Sequence, residues 1–553
     1  MIKRIVWSLI VLLLFGGLGL VAIGGREGAM VLYVKYILRK HSAPFREVNW
    51  QAGPASPQPG DKKRPNIIVI LADDLGFNDI TFYGGGIAGG SVPTPNIDAI
   101  ARDGVNFTQG YAGNATCAPS RAAMMTGRYA TRFGFEFTPV PVEFARLVGK
   151  HHAPGSLRDT IYYAERERDM PVYEDMGLPT SEVTIAKLLK GAGYHTLHLG
   201  KWHLGDSPQY RSYAHGFDES LSLQHGASMF LPERDSNVVN SKQDFDMIDQ
   251  FLWASAPWGV RFNDGEVFEP RNYLTDYLTD EAVKAIAANR NRPFMMYLAY
   301  NAPHTPLQAT RADYEALSHI QDQTTRVYAA MIRSLDRNVG RVMKALKDQG
   351  IDDNTLVVFT SDNGGANYIG VPGLNLPYRG WKATFFDGGT HVPYFMRWPG
   401  TIPPNTRYES MVSHFDIFGT AAAAAGAQAP TDRIIDGVNL LPFVRGEAAG
   451  KPHDRLFWRS GDYRVVRDGD WKLQLTQLPK QDWLYNLAKD PGEKNNLAAS
   501  EPAKVAELKA LIEGFNKQQA KPLWPALVEG AFTLDKTLRE PQSADDAYIY
   551  WAN

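Results

Sequence analysis

The sequence predicts an α/β protein with a large, mostly parallel sheet sandwiched by helices, and a smaller C-terminal antiparallel sheet plus helix. From residue 65 onward, short apolar runs alternate with amphipathic segments, the pattern of a parallel sheet and its covering helices. The chain has 553 residues, 44% of them hydrophobic, so a large core is available. Beyond residue 453 the pattern changes to short aromatic runs at the spacing of an antiparallel meander.

Residues 1–40 predict a membrane anchor or a signal segment. Lys3 and Arg4 precede an uncharged run over residues 5–25, long enough to cross the roughly 30 Å of a bilayer core. This run is longer than the apolar region of a typical signal peptide and therefore favours an uncleaved anchor. The small residues at 22–25 are also compatible with cleavage, and thus with secretion. Residues 41–65, rich in proline from position 51 onward, predict a semi-extended linker.

The body of the chain follows the linker. Buried strands are predicted at residues 66–72, 195–199, 293–300 and 355–360. Helices are predicted at residues 96–102, at 182–190 after Thr180 and Ser181, and at 325–347 before the stop signal Gly350. The C-terminal part predicts strands at 455–459, 463–467, 471–476 and 483–486, and a helix at 502–517. Residues 522–553 are assigned to no element.

Composition excludes several classes of protein. Lys and Arg number 58 against 60 Asp and Glu, a net charge of −2, so nucleic acid is not expected as a partner. The single cysteine, Cys117, excludes an intramolecular disulfide framework and a cysteine-based zinc site. If Cys117 has a function, it acts as a reactive group.

Polar side chains follow each predicted strand of the large sheet, and in open α/β sheets ligands bind at the carboxyl ends of the strands. We therefore expect these side chains to meet at one edge: Asp73, Asp74, Lys201, His203, His304, Asp362 and Asn363. Taken singly, the acidic pairs are also common turn sequences, and each histidine could be structural.

The residue types at this edge indicate a chemistry. Carboxylate and amide oxygens, on Asp73, Asp74, Asp362 and Asn363, suit Ca²⁺ or Mg²⁺ rather than zinc. Three cations could hold an oxyanion: Arg121, Lys201 and Lys382. His203 and His304 can exchange protons near neutral pH.

Cys117 precedes Pro119, a residue that favours the first turn of a helix. Cys117 is therefore predicted to lie just before a helix N-terminus, exposed to the helix dipole. Arg121 follows one turn later on the same side. This arrangement indicates an activated nucleophile beside a cation; the alternative is a buried structural thiol, the more common fate of a lone cysteine.

The residues around Cys117 resemble the sulfatase signature C-x-P-S-R-x-x-x-L-T-G-R, with Met125 in place of the usual leucine, a volume-conserving change. Residues 193–205, GYHTLHLGKWHLG, resemble the second motif of that family. The resemblance continues through residues 302–304, 360–364 and 379–383 to 483–496, in the family's order. The sequence is identified as a member of the arylsulfatase-like, formylglycine-dependent sulfatases of the alkaline phosphatase superfamily.

The resemblance implies roles for these residues. Cys117 would be oxidised by a maturation enzyme to formylglycine (3-oxoalanine), whose hydrated aldehyde is the nucleophile. That residue would share a Ca²⁺ ion, or Mg²⁺, with Asp73, Asp74, Asp362 and Asn363. Lys201 and Lys382 would bind sulfate oxygens, and Arg121 would orient the modified residue. His304 would protonate the leaving alcohol, and His203 would take a proton from the remaining hydroxyl.

The resemblance makes residues 66–430 the catalytic domain and 431–553 a small α+β domain with a tail. It implies hydrolysis of sulfate monoesters, aryl or carbohydrate. Two alternatives are a phosphodiesterase or phosphonate monoester hydrolase of the same superfamily, and a non-catalytic, membrane-tethered carbohydrate-binding protein. Aromatic residues at 251, 253, 258 and 262 could stack on sugar rings or simply pack. The anchor and family habit favour a catalytic domain in the periplasm or lumen, and signal cleavage would make it secreted.

Overall fold

A ten-stranded mixed sheet forms the centre of the computed structural model, which describes residues 42–60, 64–150 and 156–553. The predicted anchor over residues 1–40 lies outside the described residues. Within the described ranges, no helix combines the length and the apolar character needed to cross a membrane. The strands are β1 Asn66–Ala72, β2 Val105–Phe107, β3 Gly110–Tyr111, β4 Ile161–Tyr162, β5 His195–Gly200, β6 Glu219–Leu223, β7 Val238–Ser241, β8 Val260–Phe262, β9 Val267–Phe268, β10 Phe294–Ala299, β11 Leu307–Thr310, β12 Thr355–Ser361, β13 Tyr394–Arg397, β14 Thr406–Tyr408, β15 Val412–Ser413, β16 Arg455–Ser460, β17 Tyr463–Asp468, β18 Trp471–Gln477, β19 Lys480–Asn486, β20 Val528–Thr533 and β21 Tyr548–Ala552.

Helices cover both faces of this sheet. The α-helices of the described residues, including those that lie away from this sheet, are α1 Ile87–Gly90, α2 Pro95–Arg102, α3 Cys117–Thr126, α4 Val142–Lys150, α5 Ile185–Gly191, α6 Met247–Ser255, α7 Leu274–Asn289, α8 Arg311–Glu315, α9 Gln323–Asp348, α10 Asp387–Thr390, α11 Asp416–Ala425, α12 Leu441–Val444 and α13 Pro502–Asn516.

The large sheet has the strand order β14-β2-β13-β12-β1-β10-β5-β6-β8-β9. Its central strands β12, β1, β10, β5 and β6 are parallel to their neighbours in that group. Side chains of β1 alternate between two cores: Ile68 and Ile70 pack with α2, α7 and α9, while Ile67 and Val69 pack with α3, α5 and α11. Because both faces are buried, the strand is a continuous apolar run rather than an alternating one. The predicted fold class is confirmed.

The predicted elements differ from the observed ones mainly at their ends. The four buried strands are present within one residue of their predicted limits, as β1, β5, β10 and β12. The helix predicted at 182–190 begins later, because Thr184 rather than Thr180 or Ser181 is its N-cap and accepts a hydrogen bond from Lys187 N at 3.1 Å. Helix α3 begins at Cys117, so Cys117 lies inside the first turn and not before it.

The linker segment contacts the edge of the sheet. Ala43 N donates to Val267 O at 2.9 Å, and Glu269 N donates to Ala43 O at 2.8 Å. Trp50 is buried, and its Nε1 donates to Glu281 Oε2 at 2.9 Å. Residues 43–50, in the first part of the predicted semi-extended linker, therefore lie against the body of the protein.

Strands β16–β19 form an antiparallel sheet against which α13 packs, as predicted. The segment left unassigned contains β20 and β21, which pair with each other, and β20 also pairs with β4 in the large domain. The end of the described chain is thereby joined to both domains.

Candidate active site

The carboxyl ends of the central strands bring the predicted side chains to one place. Asp73 and Asp74 follow β1 directly, and Asp362 follows β12. Asp362 N donates to Ala72 O at 3.1 Å, and Asp74 N donates to Asp362 Oδ1 at 3.1 Å, so the two strand ends are joined. The Cys117 side chain, at the start of α3, contacts both of the aspartates that follow β1.

Asp73 is paired with two buried cations. Lys201 Nζ donates to both of its carboxylate oxygens, at 2.9 and 2.7 Å. Arg121 Nη2 lies 3.3 Å from Asp73 Oδ1, and Arg121 Nε donates to Asp362 Oδ2 at 2.9 Å. These side chains are fully buried. Because a buried charge is tolerated only when paired, each of them depends on the others.

Besides the Cys117 thiol, three side chains donate hydrogen bonds to Asp74. Lys382 Nζ and Tyr368 Oη each donate to Asp74 Oδ2 at 2.8 Å, and Asn363 Nδ2 donates to Asp74 Oδ1 at 2.8 Å. His304 Nε2 lies 3.6 Å from Asp74 Oδ2. Burial alone would raise the pKa of Asp74, but Lys382 and His304 outweigh it and hold the pKa well below its usual value.

The donor set fits a hard divalent cation. Four side chains offer ligand atoms that lie within 4.8 Å of one another: Asp73, Asp74, Cys117 and His304. Asn363 Oδ1 is buried and, among the described residues, accepts no hydrogen bond, so it is available as a ligand. Asp362 adjoins the group through its contact with Asp74 N. Carboxylate and carbonyl oxygens are the ligands that Ca²⁺ and Mg²⁺ prefer.

The Cys117 thiol is not itself activated. Its Sγ donates to Asp73 Oδ1 at 3.5 Å and to Asp74 Oδ1 at 3.7 Å. Burial raises the pKa of Cys117, and the nearby carboxylate of Asp362 raises it further. The unmodified thiol therefore has a raised pKa, whereas its place at a helix start predicts a lowered one.

Both predicted histidines lie in the site, and burial favours the neutral form of each. His304 Nδ1 donates to Thr305 O, and burial lowers the pKa of His304 to about 3, with Asp74 opposing the shift. His203 has φ of 59°, and its ring packs against Gly226, where a Cβ would approach Nε2 to 2.5 Å. Burial, followed by Lys201, lowers the pKa of His203 well below its usual value. A neutral imidazole can accept a proton.

The charges of the site balance. The carboxylates of Asp73, Asp74 and Asp362 face the cations of Arg121, Lys201 and Lys382. With both histidines neutral, the side-chain charges of this set sum to zero. A bound divalent cation would therefore leave the site positive, and an anion would be attracted to it.

Sequence reasoning missed residues that support the predicted ones. Tyr368 bonds both Asp74 and Lys382, yet it lies in a single 3-10 turn, Asn367–Ile369, without a recognisable motif. Asp249 on α6 accepts a hydrogen bond from Thr305 Oγ1, and Thr305 O in turn holds the His304 ring. No pattern in the sequence connects Asp249 with Thr305, because tertiary packing alone brings them together.

The structure gives the predicted sugar-stacking aromatics other partners. Phe251 lies against Phe144 with ring centroids 4.7 Å apart, and Phe262 lies against Trp50 at 5.2 Å. Trp253 is buried in a small apolar cluster, with Trp258 packed against it. These contacts agree with the packing alternative.

Comparisons with known proteins agree with this architecture. The sulfatase family model matches residues 65–427, and the model described as N-sulphoglucosamine sulphohydrolase, C-terminal, matches residues 380–521. The uncharacterized sulfatase YdeN of Escherichia coli (strain K12) is 30% identical over 87% of this chain and 90% of its own length. The N-acetylgalactosamine-6-sulfatase of Homo sapiens is 33% identical over 85% of this chain and 87% of its own.

Solved structures share the fold. The crystal structure of Ps i-CgsB in complex with k-i-k-neocarrahexaose has a TM-score of 0.68 and 32% identity, covering 83% of this chain and 94% of that one. The phosphonate monoester hydrolase SpPMH from Silicibacter pomeroyi, at 19% identity and a TM-score of 0.57 over 83% of this chain and 96% of its own, shares the fold alone. Motifs, architecture and relatives agree: the chain belongs to the sulfatase family and is a sulfuric ester hydrolase.

Proposed function

We propose that this chain hydrolyses sulfate monoesters with Cys117 converted to formylglycine and with Ca²⁺, or alternatively Mg²⁺, bound beside it. The observation that carries the proposal is the contact of the Cys117 side chain with Asp73 and Asp74, which are themselves held by Lys201 and Lys382. When bound, the cation supplies Lewis-acid polarisation of a coordinated oxygen. The modified Cys117 supplies a hydroxyl nucleophile that the buried thiol lacks.

The remaining residues bind and orient. Asp73, Asp74, Asp362 and Asn363 hold the cation. Lys201 and Lys382 lie on either side of Cys117 and donate hydrogen bonds to sulfate oxygens, where negative charge is concentrated. Arg121 fixes Asp362 and, through Nη1, the carbonyl of Lys201 at 3.0 Å. His203 accepts the proton that must leave the nucleophile for the aldehyde to reform.

His304 carries a proton at Nε2 to the leaving oxygen. Its Nδ1 is committed to Thr305 O, so Nε2 is the nitrogen that faces Asp74 and the site. In the absence of a ligand the imidazole is neutral, but a sulfate-ester anion beside it favours the protonated form.

Replacing His304 should therefore have an effect that depends on the leaving group. We expect His304→Ala to lower kcat/KM by about 10²–10⁴-fold for alkyl or sugar sulfates, whose alkoxide needs a proton. For 4-nitrophenyl sulfate the loss should be much smaller, because nitrophenolate leaves without one. Initial rates on a series of sulfate esters check this. Equal losses across the series would contradict a proton-donor role.

We propose a sulfated carbohydrate as the substrate. Support comes from two relatives: the N-acetylgalactosamine-6-sulfatases, at 32–34% identity, and Ps i-CgsB, crystallised with a neocarrahexaose at 32% identity. The catalytic domain is proposed to lie in the periplasm or lumen, joined to the membrane through residues 1–40, and a maturation enzyme is proposed to modify Cys117 before the site closes.

Turnover of matched aryl esters tests the reaction class. We expect kcat/KM for 4-nitrophenyl sulfate to exceed that for the corresponding phenylphosphonate ester. We expect kcat/KM for sulfated saccharides to exceed both of these values. The assay requires protein whose Cys117 has been shown by mass spectrometry to be modified. A preference for the phosphonate would favour the alternative reaction instead.

A further inference from the structure

The segment that carries Lys382, residues 379–387, is held at both ends by the C-terminal part of the chain. At its start, Arg379 donates to both carboxylate oxygens of Asp535, at 2.8 and 2.5 Å, and to Glu493 O at 3.0 Å. At its end, Lys472 Nζ donates to Asp387 Oδ1 at 2.6 Å, and Asp387 N donates to Glu493 Oε2 at 2.6 Å.

The contact at Asp387 is ionic and fully enclosed. Lys472 Nζ also lies 3.0 Å from Glu493 Oε1, and the side chains of Lys472 and Glu493 have no exposed area. An ammonium buried between two carboxyl groups is strongly coupled to both, since removing Lys472 takes away the positive charge that both contact. The backbone is constrained as well: Glu493 has φ of 50°, which a non-glycine residue keeps only where its surroundings impose it.

Between these ends, the backbone of the segment joins the catalytic loops. Lys382 N donates to Gly365 O at 3.1 Å, and Ala383 N donates to Ala115 O at 2.8 Å, two residues before Cys117. Ala383 also has a left-handed backbone, with φ of 65°. The Lys382 ammonium thus reaches Asp74 from a segment whose conformation is fixed by contacts with the C-terminal part of the chain.

We propose that Lys472, Glu493 and Asp535 are positioning residues for Lys382, so that the C-terminal part belongs to the sulfate-binding apparatus. The proposal rests on the proposed function, in which Lys382 binds a sulfate oxygen. A displacement of about 1 Å in such a group costs on the order of 100-fold in rate, and loss of a supporting partner about 10–100-fold.

A double-mutant cycle separates positioning from general stability. Lys472→Met is expected to lower kcat/KM for 4-nitrophenyl sulfate by about 10–100-fold in the native background. In the Lys382→Ala background the same substitution should lower kcat/KM by less than about 2-fold, because the ammonium that Lys472 positions is absent. Equal losses in both backgrounds would overturn the proposal. If turnover of the Lys382→Ala variant is too slow to measure, calorimetric binding of inorganic sulfate provides the same cycle.

Two further variants complete the test. Lys509→Met makes the same residue change at a more exposed ion pair, 2.6 Å long, between α13 and Asp482 of β19, and should leave kcat/KM within about 2-fold. Asp535→Asn acts at the opposite end of the segment, at an exposed residue, and should show the same dependence on Lys382 if Lys472→Met does not fold. If Asp535→Asn lowers kcat/KM by the same factor in the native and the Lys382→Ala backgrounds, the result counts against the proposal. Wild-type turnover of phosphonate but not sulfate would refute the proposed function instead, and the cycle could still be run with phosphonate.

Discussion

Cys117→Ala should abolish sulfate-ester hydrolysis, with kcat lowered by at least about 10³-fold, since loss of a nucleophile removes the step that the rest of the site serves. The change removes one small buried side-chain group and no charge, so the six charged side chains around it keep their contacts with one another. Protein yield and thermal unfolding should stay near those of the native chain. Turnover of 4-nitrophenyl sulfate and a thermal melt measure the two quantities separately.

Met125→Leu is the matched control, because it lies on the same helix and changes shape while nearly conserving volume. We expect its activity to stay within about 2-fold of the native value. The native protein should also show, by mass spectrometry of the peptide containing Cys117, a mass below that of the thiol. An intact thiol in fully active protein, or hydrolysis by the alanine variant, would contradict the assigned nucleophile.

Removal of the divalent cation should abolish activity and weaken sulfate binding together. The side-chain charges of the site sum to zero, so a dication is what makes it attractive to an anion. With Ca²⁺ present and sulfate at about 100 times its Kd, we expect the protein to gain roughly 2.7 kcal/mol of stability. After dialysis against a chelator the gain should fall close to zero. Thermal unfolding with and without sulfate measures both states.

Readdition of Ca²⁺ or Mg²⁺ to the dialysed protein identifies the cation. The ion that restores both turnover and the stabilisation of the protein by sulfate is the one that the oxygen donors of the site bind. Asn363→Leu provides a matched variant, because it removes the unpartnered Oδ1 at similar volume and leaves every charge in place. It should weaken cation binding. Unchanged turnover after exhaustive chelation would rule out a required ion.

Patterns local in the chain were enough to predict the sheet and its edge. Strand β1 is predicted correctly because both of its faces are buried and every residue after Asn66 is apolar. The polar residues Asp73 and Asp74 come directly after the strand ends. Contacts made through packing could not be predicted in this way. Tyr368 reaches Asp74 from a single 3-10 turn, and Asp249 supports His304 through Thr305 from helix α6. Neither contact joins residues that are close in the sequence.

The electrostatic environment of Cys117 could not be predicted from the sequence either. The helix start at Cys117 argues for a lowered pKa, but three-dimensional burial and the carboxylate of Asp362 raise it. The contacts between the C-terminal part and the segment that carries Lys382 could not be predicted either, because Arg379 and Asp535 are 156 residues apart along the chain.

The long-range pairing of β1 also affects how the chain folds during its synthesis. Asn66, at the start of this strand, bonds Phe294 N and Thr355 Oγ1, which follow 228 and 289 residues later. Closing loops of that length is slow compared with forming local helices. During synthesis one hydrogen-bonding edge of this apolar strand therefore has no partner until 228 further residues have been added, and the other edge has none until 289 have been added. Such edges favour intermolecular pairing, so recovery of native protein should improve with abundant holdase chaperones.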